Sequence, residues 1–147
     1  MADLAERLDR IEARQAVADL IHAYAAFIRR DEPERVHELF LPDGTFEVRD
    51  GHPDRAEFTV RSHYDSARAI HDYLAPNKGQ PHPVPLIRNL VIAVDGDTAI
   101  AGSVMDARIY GTAHGIMGEY HDTCRRVDGT WYFQARIFTI YKDAVAL

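Results

Sequence analysis

Cysteine is almost missing from this 147-residue chain: Cys124 stands alone, so no internal disulfide can form. A small secreted disulfide scaffold is excluded. No apolar run reaches the roughly 18 residues that a membrane-spanning helix needs. The opening residues Met1 to Arg7 hold no signal-peptide core. Together these absences lead us to expect a cytoplasmic, reducing location and no membrane partner. Basic clusters are lacking too. Lys and Arg number 17 against 23 Asp and Glu, a net charge of −6, which argues against a nucleic-acid partner. There is no phosphate loop, no dinucleotide fingerprint and no Gly-x-Ser-x-Gly. The histidines show no metal-ligand spacing, so neither a metal nor a cofactor is expected.

What is present fits one globular domain, residues 1–147. Apolar residues make up 46% and charged residues 27%, close to the average for folded proteins. Eight histidines are many for this length. The first third has helical periodicity. Leu4, Leu8 and Ile11 recur at helical spacing from Asp3, a suitable cap, to about Arg14. A second helix is predicted from Gln15 to Arg30, with a wide apolar stripe through Val17, Leu20, Ile21, Tyr24, Phe27 and Ile28. Pro33 suits the first turn of a short helix from Glu34 to Phe40. Leu41-Pro42-Asp43-Gly44 reads as a turn.

The period then changes to two. Thr45 to Arg49 and Phe58 to Arg61 alternate as the strands of a hairpin. Ser62-x-x-Asp65 resembles a capping box and predicts a third helix through about Ala75. The segment from Ala75 to Pro85, with four prolines, reads as a loop that cannot be a central strand. Four long strands follow: Leu86 to Val94, Thr98 to Tyr110, Ile116 to Val127 and Thr130 to Tyr141. Asp95-Gly96-Asp97 and Asp128-Gly129 supply two of the turns. The fold class is α+β: a cone-shaped, curved, mostly antiparallel sheet with three to four helices on its concave face. Strict alternation in the last strand puts Trp131, Phe133, Ala135, Ile137, Thr139 and Tyr141 on one face, and Tyr132, Gln134, Arg136, Phe138 and Ile140 on the other. Neither is a solvent face. A homodimer through the outer sheet face is therefore expected.

A cone closed by helices leaves a largely apolar pocket, in which a few polar groups carry the chemistry. Arg136 shares a strand face with Phe138 and Ile140. It needs either an anion or a structural partner such as Asp106, Glu119 or Asp122. Tyr24 lies within an apolar stripe and could donate a hydrogen bond to a substrate oxygen or to the backbone. On the predicted third helix His63 and His71 share a face with Ala67, Ile70 and Leu74. Either could serve as a general base, or simply be half exposed. His82 lies in the proline-rich loop at the expected mouth. Phe27, Ile70 and Leu74 from the helices, Asp31 just after the second helix, and Asn89, Tyr120, Phe138 and Ile140 from the strands, are the expected substrate contacts. Cys124, between strand neighbours, reads as a buried structural thiol.

The order of several motifs resembles the SnoaL-like branch of the nuclear transport factor 2-like superfamily. They are Leu8-Asp9-Arg10-Ile11-Glu12-Ala13-Arg14, Ala18 to Ala25, and Val36-x-x-Leu39-Phe40-Leu41-Pro42-Asp43-Gly44. Arg88-Asn89-Leu90-Val91-Ile92, Asp95-Gly96-Asp97-Thr98-Ala99, Gly118-x-Tyr120-x-Asp122 and Arg125 to Trp131, with Arg136, complete the set. The resemblance spans nearly the whole chain. It implies cofactor-free proton abstraction from a hydrophobic, usually cyclic molecule, as in polyketide cyclases, scytalone dehydratase and steroid isomerases. It also implies an Asp five residues after the helix tyrosine and a His four residues before the strand Asn. Arg29 and Pro85 occupy those places, so the usual dyad is missing. Asp31 and His82 lie two and three residues away.

Two readings stay open. One is a lyase or isomerase whose base is His63, His71 or His82, with Tyr24 and Arg136 steadying an oxyanion. The other is a small-molecule binding protein that kept the cone and lost the chemistry. Fold alone does not decide between them. A third reading is a subunit of a larger oxygenase assembly that also uses this fold, against which purification as a lone homodimer would weigh.

Overall fold

In a computed structural model, residues 2–142 are described. One continuous helix, α1 (Leu4–Arg29), replaces the two predicted. No proline or glycine interrupts it, so nothing at Arg14 breaks the hydrogen-bond ladder. Asp3 caps it as expected, its carboxylate accepting from the Glu6 amide at 2.8 Å. The buried side begins at Ala13 and continues through Val17, Ile21 and Tyr24. Leu4, Leu8 and Ile11 stay exposed. A 3-10 helix, Pro33–Leu39, follows with Pro at its start.

Six strands form one sheet. They are β1 (Phe40–His52), β2 (Arg55–Tyr64), β3 (His82–Asp95), β4 (Thr98–Tyr110), β5 (Gly115–Val127) and β6 (Thr130–Tyr141). Their order is β2-β1-β6-β5-β4-β3. The β1–β6 pair is parallel and the others are antiparallel. The sheet curls without closing. Helix α1 packs chiefly over β3, and the short α2 (Ala67–Leu74) packs over β1 and the 3-10 helix. The fold is thus the predicted α+β architecture.

Four local expectations are corrected. Residues Leu41 to Gly44 lie within β1, but the β1–β6 register jumps from Phe40 to Thr45. The turn residues therefore bulge out of a continuing strand. The supposed capping box at Ser62 is strand: β2 runs on to Tyr64, because His63 and Tyr64 pair with Glu47 and Phe46. The real cap of α2 is Ser66, whose hydroxyl accepts from the Ala69 amide at 3.0 Å. The proline-rich loop ends earlier than predicted. His82 to Pro85 begin β3, which tolerates Pro83 and Pro85 because it is the edge of the sheet.

The fourth correction matters most. In β6 the register steps from Cys124↔Phe133 to Thr123↔Ala135, leaving Gln134 as a bulge. Alternation breaks there. Trp131 and Phe133 before it share the buried interior with Arg136 and Phe138 after it. Two full faces of alternating residues do not exist in this strand.

Close packing on the inner face is tightest at Gly118 in β5. A Cβ placed there would meet the Thr139 carbonyl oxygen at 2.2 Å and the Phe138 ring at 2.8 Å. At Gly102 the nearest atom would be 4.0 Å away. Gly118→Ala is expected to destabilise the fold by about 1–3 kcal/mol, and Gly102→Ala to be close to neutral. Urea unfolding of the two variants checks the contrast.

Candidate active site

The inner residues of the sheet and the helices above it enclose a cavity of about 340 Å³. Its walls are apolar: Phe46 and Val48 from β1, Met105 from β4, Phe138 and Ile140 from β6, and Leu74 from α2. Polar groups gather at two places. The inner end carries Tyr24 and Tyr120. The mouth carries Asp31, His82, Asn77 and Arg61.

The mouth is built where α1 stops. Asp31 has φ +59°, in the left-handed region that short polar residues tolerate. Its carboxylate accepts from the Gly79 amide at 3.0 and 3.2 Å. Lys78 Nζ donates to the Asp31 carbonyl at 3.0 Å and to the Glu34 carboxylate at 2.9 Å. The lysine lowers the Glu34 pKa through this bond. These contacts fasten the Ala75-to-Pro81 connection against the end of the helix, which sets His82 at the cavity. His82 Nδ1 lies 3.0 Å from the Gln80 carbonyl and Nε2 lies 3.2 Å from the Arg29 carbonyl. The Asp31 carboxylate is 4.0 Å from Nδ1. Carbonyls only accept, so a ring with one N–H satisfies one of these contacts and a ring with two satisfies both.

The inner end rests on an ion pair. Arg136 and Asp122 face each other across the β5–β6 ladder, Nε to Oδ1 at 3.0 Å, with both side chains fully buried. The N–H is not aligned on the oxygen, so the contact is ionic rather than a hydrogen bond, and both Nη atoms also lack acceptors. Aromatic faces surround the guanidinium instead. Its carbon sits 3.5 Å from the centre of the Tyr120 ring, 4.1 Å from that of Tyr24 and 4.7 Å from that of Phe133. Burial pushes the Asp122 carboxyl up to about 6, against the opposing pull of Arg136. Burial also raises the Tyr24 and Tyr120 phenols, which keeps both O–H groups intact at neutral pH.

Of the residues singled out in the sequence, Tyr24, Asp31, Leu74, His82, Tyr120, Phe138 and Ile140 line this cavity. Others do not. His63 is on β2, where its ring contacts Glu47 at 2.9 Å, on the side opposite Phe46 and Val48. His71 turns toward the 3-10 helix, edge-on to His37 with ring centres 4.9 Å apart, and contacts Asp72. His63 and His71 therefore share no helix face, because strand pairing captured the first. Arg136 is sealed beneath the tyrosines and does not reach the cavity. Ile70 is wholly buried in the core, Phe27 is buried under Arg35, and Asn89 is exposed at a β3 bulge with φ +52°. Arg29 points to solvent, and Pro85 forms part of the cavity wall.

Sequence reasoning missed Arg61, Tyr73 and Asn77. Arg61 reaches the cavity because the β1–β2 register skips it, between Ser62 opposite Val48 and Val60 opposite Arg49. It pairs with Asp50 at 2.7 Å. No sequence period signals such a bulge. Tyr73 and Asn77 flank Leu74, itself a predicted contact, so their neighbourhood was the available signal. Among the described residues no three His, Cys, Asp or Glu side chains cluster as metal ligands, and no helix is long and apolar enough to cross a membrane. Cys124 is buried as predicted, its thiol pushed up to about 12 by burial.

The SnoaL-like domain family matches residues 9–137, and the chain belongs to that family. No curated protein shows a significant sequence match. Solved structures of similar shape include a Novosphingobium aromaticivorans protein provisionally assigned as the beta subunit of an aromatic-ring-hydroxylating dioxygenase. It is 24% identical, with a TM-score of 0.71, over 91% of this chain and 92% of that one. A provisionally assigned scytalone dehydratase from the same organism is 22% identical, with a TM-score of 0.68, over 88% and 85%. LinA is 15% identical, with a TM-score of 0.70, over 96% and 97%. At these identities the likeness is one of fold, the nuclear transport factor 2-like fold.

Removing one member of a buried ion pair strands the other. Arg136→Met should cost about 3–5 kcal/mol, and Asp122→Leu in the same chain should restore much of the loss, read by urea unfolding. The raised Asp122 pKa carries its own sign. Between the ordinary carboxylate value of 3.8 and about 6 the folded state holds the extra proton. The contribution of Asp122 to stability therefore falls as pH rises through that window. The difference in unfolding free energy between the natural protein and Asp122→Asn should decline from pH 4 to pH 6.

Proposed function

We propose that the protein is a cofactor-free lyase or isomerase that moves a proton on a hydrophobic, cyclic small molecule inside this cavity. The observation that carries the reading is the juxtaposition of His82 and Asp31 at the cavity mouth, 4.0 Å apart. They lie three and two residues from the positions to which the SnoaL-like resemblance assigns a histidine and an aspartate. The family membership and the fold shared with LinA and a provisionally assigned dehydratase support the same class.

In this reading the neutral His82 ring keeps Nδ1–H on the Gln80 carbonyl, the shorter of its two contacts. Nε2 then holds the lone pair, and it accepts a proton from substrate carbon only once the ring turns from the Arg29 carbonyl, 3.2 Å away, toward the cavity. The imidazolium so formed has an acceptor for each N–H, from Gln80 and Arg29, and the Asp31 carboxylate beside it. Tyr24 donates to the substrate oxygen on which negative charge develops. A dehydratase would return the proton from His82 to a departing hydroxyl. An isomerase would return it to another carbon.

The second reading, a binding protein, has one observation in its favour. Both ring nitrogens of His82 already face carbonyls, and neither is bare toward the cavity. The experiment that separates the two follows dehydration of a fused-ring β-hydroxyketone by the absorbance of the enone. His82→Ala should lower turnover by 10²–10⁴-fold, and Asp31→Asn should lower it less. Unchanged turnover in His82→Ala would reject the proton-transfer assignment. Binding of the ketone without turnover by the natural protein would favour the binding reading.

A further inference from the structure

The outer sheet face is the surface expected to meet a second copy. Another candidate lies on α1. Leu4, Leu8 and Ile11, on the first turns of this helix, are 77%, 53% and 63% exposed. None of the three belongs to the core or packs against it. Their line continues through Gln15, Ala18 and His22, in alternating steps of four and three residues. Gln15 and His22 are exposed and Ala18 is half-buried. At about 100° per residue, the line runs roughly 150° round the helix from the buried side that holds Ala13, Val17, Ile21 and Tyr24. Alternating steps of four and three make the narrow seam of a coiled coil, whereas a helix packed on a core shows a wider apolar sector.

The charges beside the seam select its occupant and direction. Arg7 and Arg14 immediately precede Leu8 and Gln15, while Glu12 and Asp19 immediately follow Ile11 and Ala18. One flank is therefore basic and the other acidic, and all four side chains are exposed. In a parallel pair the basic flank of each helix runs along the acidic flank of the other. Arg7 then meets Glu12 of the second copy, and Arg14 meets Asp19 of the second copy. In an antiparallel pair like flanks meet and repel. An anionic membrane surface would meet the acidic flank, on a chain whose net charge is −6.

The helix needs no ordering before it pairs. Asp3 caps it, and Arg126 ties Asp9 to the body of the domain at 3.0 and 3.2 Å while holding Asp97 at 2.8 Å. The entropy that a free peptide would lose on pairing has already been spent on folding. Because the buried side of α1 faces away from the seam, two domains can lie on opposite sides of the paired helices without meeting.

We propose that α1 is a self-association seam, in which two copies of the chain pair through Leu4, Leu8 and Ile11 of parallel helices and Gln15 sets the register. The seam lies on the side of α1 turned from the cavity, so the proposal is independent of the reaction.

The test is sedimentation of the full chain over a concentration series. The natural protein should pass from one chain to two as its concentration rises. Leu8→Asp places facing carboxylates in the seam and should weaken pairing about 100-fold or more. Its urea midpoint should match that of the natural protein where both are single chains, because Leu8 is exposed there. Arg7→Glu with Arg14→Glu should weaken pairing roughly tenfold, and so should Glu12→Lys with Asp19→Lys. An equimolar mixture of these two double variants should pair as the natural protein does. Four results would each overturn the proposal. They are a natural protein that stays a single chain throughout; self-association unchanged in Leu8→Asp, as a sheet-face dimer would give; indifference to both charge exchanges, as an antiparallel pair would give; and Leu8-dependent binding to phosphatidylserine vesicles in place of pairing.

Discussion

Arg136 brings a permanent charge into the middle of the core, and the interior is arranged around it. Taking a guanidinium out of water is costly, and an isolated one would not be tolerated there. Asp122 answers the charge across the β5–β6 ladder, while Tyr24, Tyr120 and Phe133 offer it their ring faces. The bulge at Gln134 makes this possible, because it turns Phe133 and Arg136 to the same side of one strand. An unbroken strand would have sent one of them outward. The two phenols that face the cavity are held from behind by this charge, so the shape of the inner end follows from an ion pair that never touches the cavity.

The mouth has a different origin. It depends on how α1 ends and how the Ala75-to-Pro81 connection is tied to that end. Asp31 in the left-handed region turns its carboxylate to the Gly79 amide, and Lys78 reaches back to the Asp31 carbonyl and to Glu34. His82 follows directly and begins the edge strand. Its ring is fixed by the Arg29 and Gln80 carbonyls. Arg29, which replaces the expected aspartate, thus serves the site through its backbone while its side chain points away. Charged groups at the mouth and neutral donors within give the cavity a polarity along its length, and apolar walls separate the two ends.

Much of the fold was legible because its signals are local. The turns at Gly96 and at Asp128-Gly129, with these three residues at positive φ, marked the hairpins, and β4 and β6 begin and end where the sequence placed them. Asp3 marked the start of α1. The misreadings within the sheet share one cause. Leu41 to Gly44, Ser62, Arg61 and Gln134 each lie where pairing with a neighbouring strand overrode a local signal or inserted a bulge. His63 was assigned to a helix because its own neighbourhood resembles a cap, and Glu47, sixteen residues earlier in the chain, decided otherwise.

By itself the sequence determined the α+β order, the segregation of helix from sheet, the buried thiol and a short set of residues that included Tyr24, Asp31, His82 and Tyr120. These follow from periodicity, turn chemistry and burial preference, all properties of residues a few positions apart. Tertiary structure alone decided which of three histidines meets the cavity, that Arg136 is sealed beneath it, and that Asp31 and His82 come together although 51 positions separate them. Those outcomes depend on strand register and on the crossing of distant elements. A one-residue change in register reverses the face a side chain occupies, and nothing within a single segment records it.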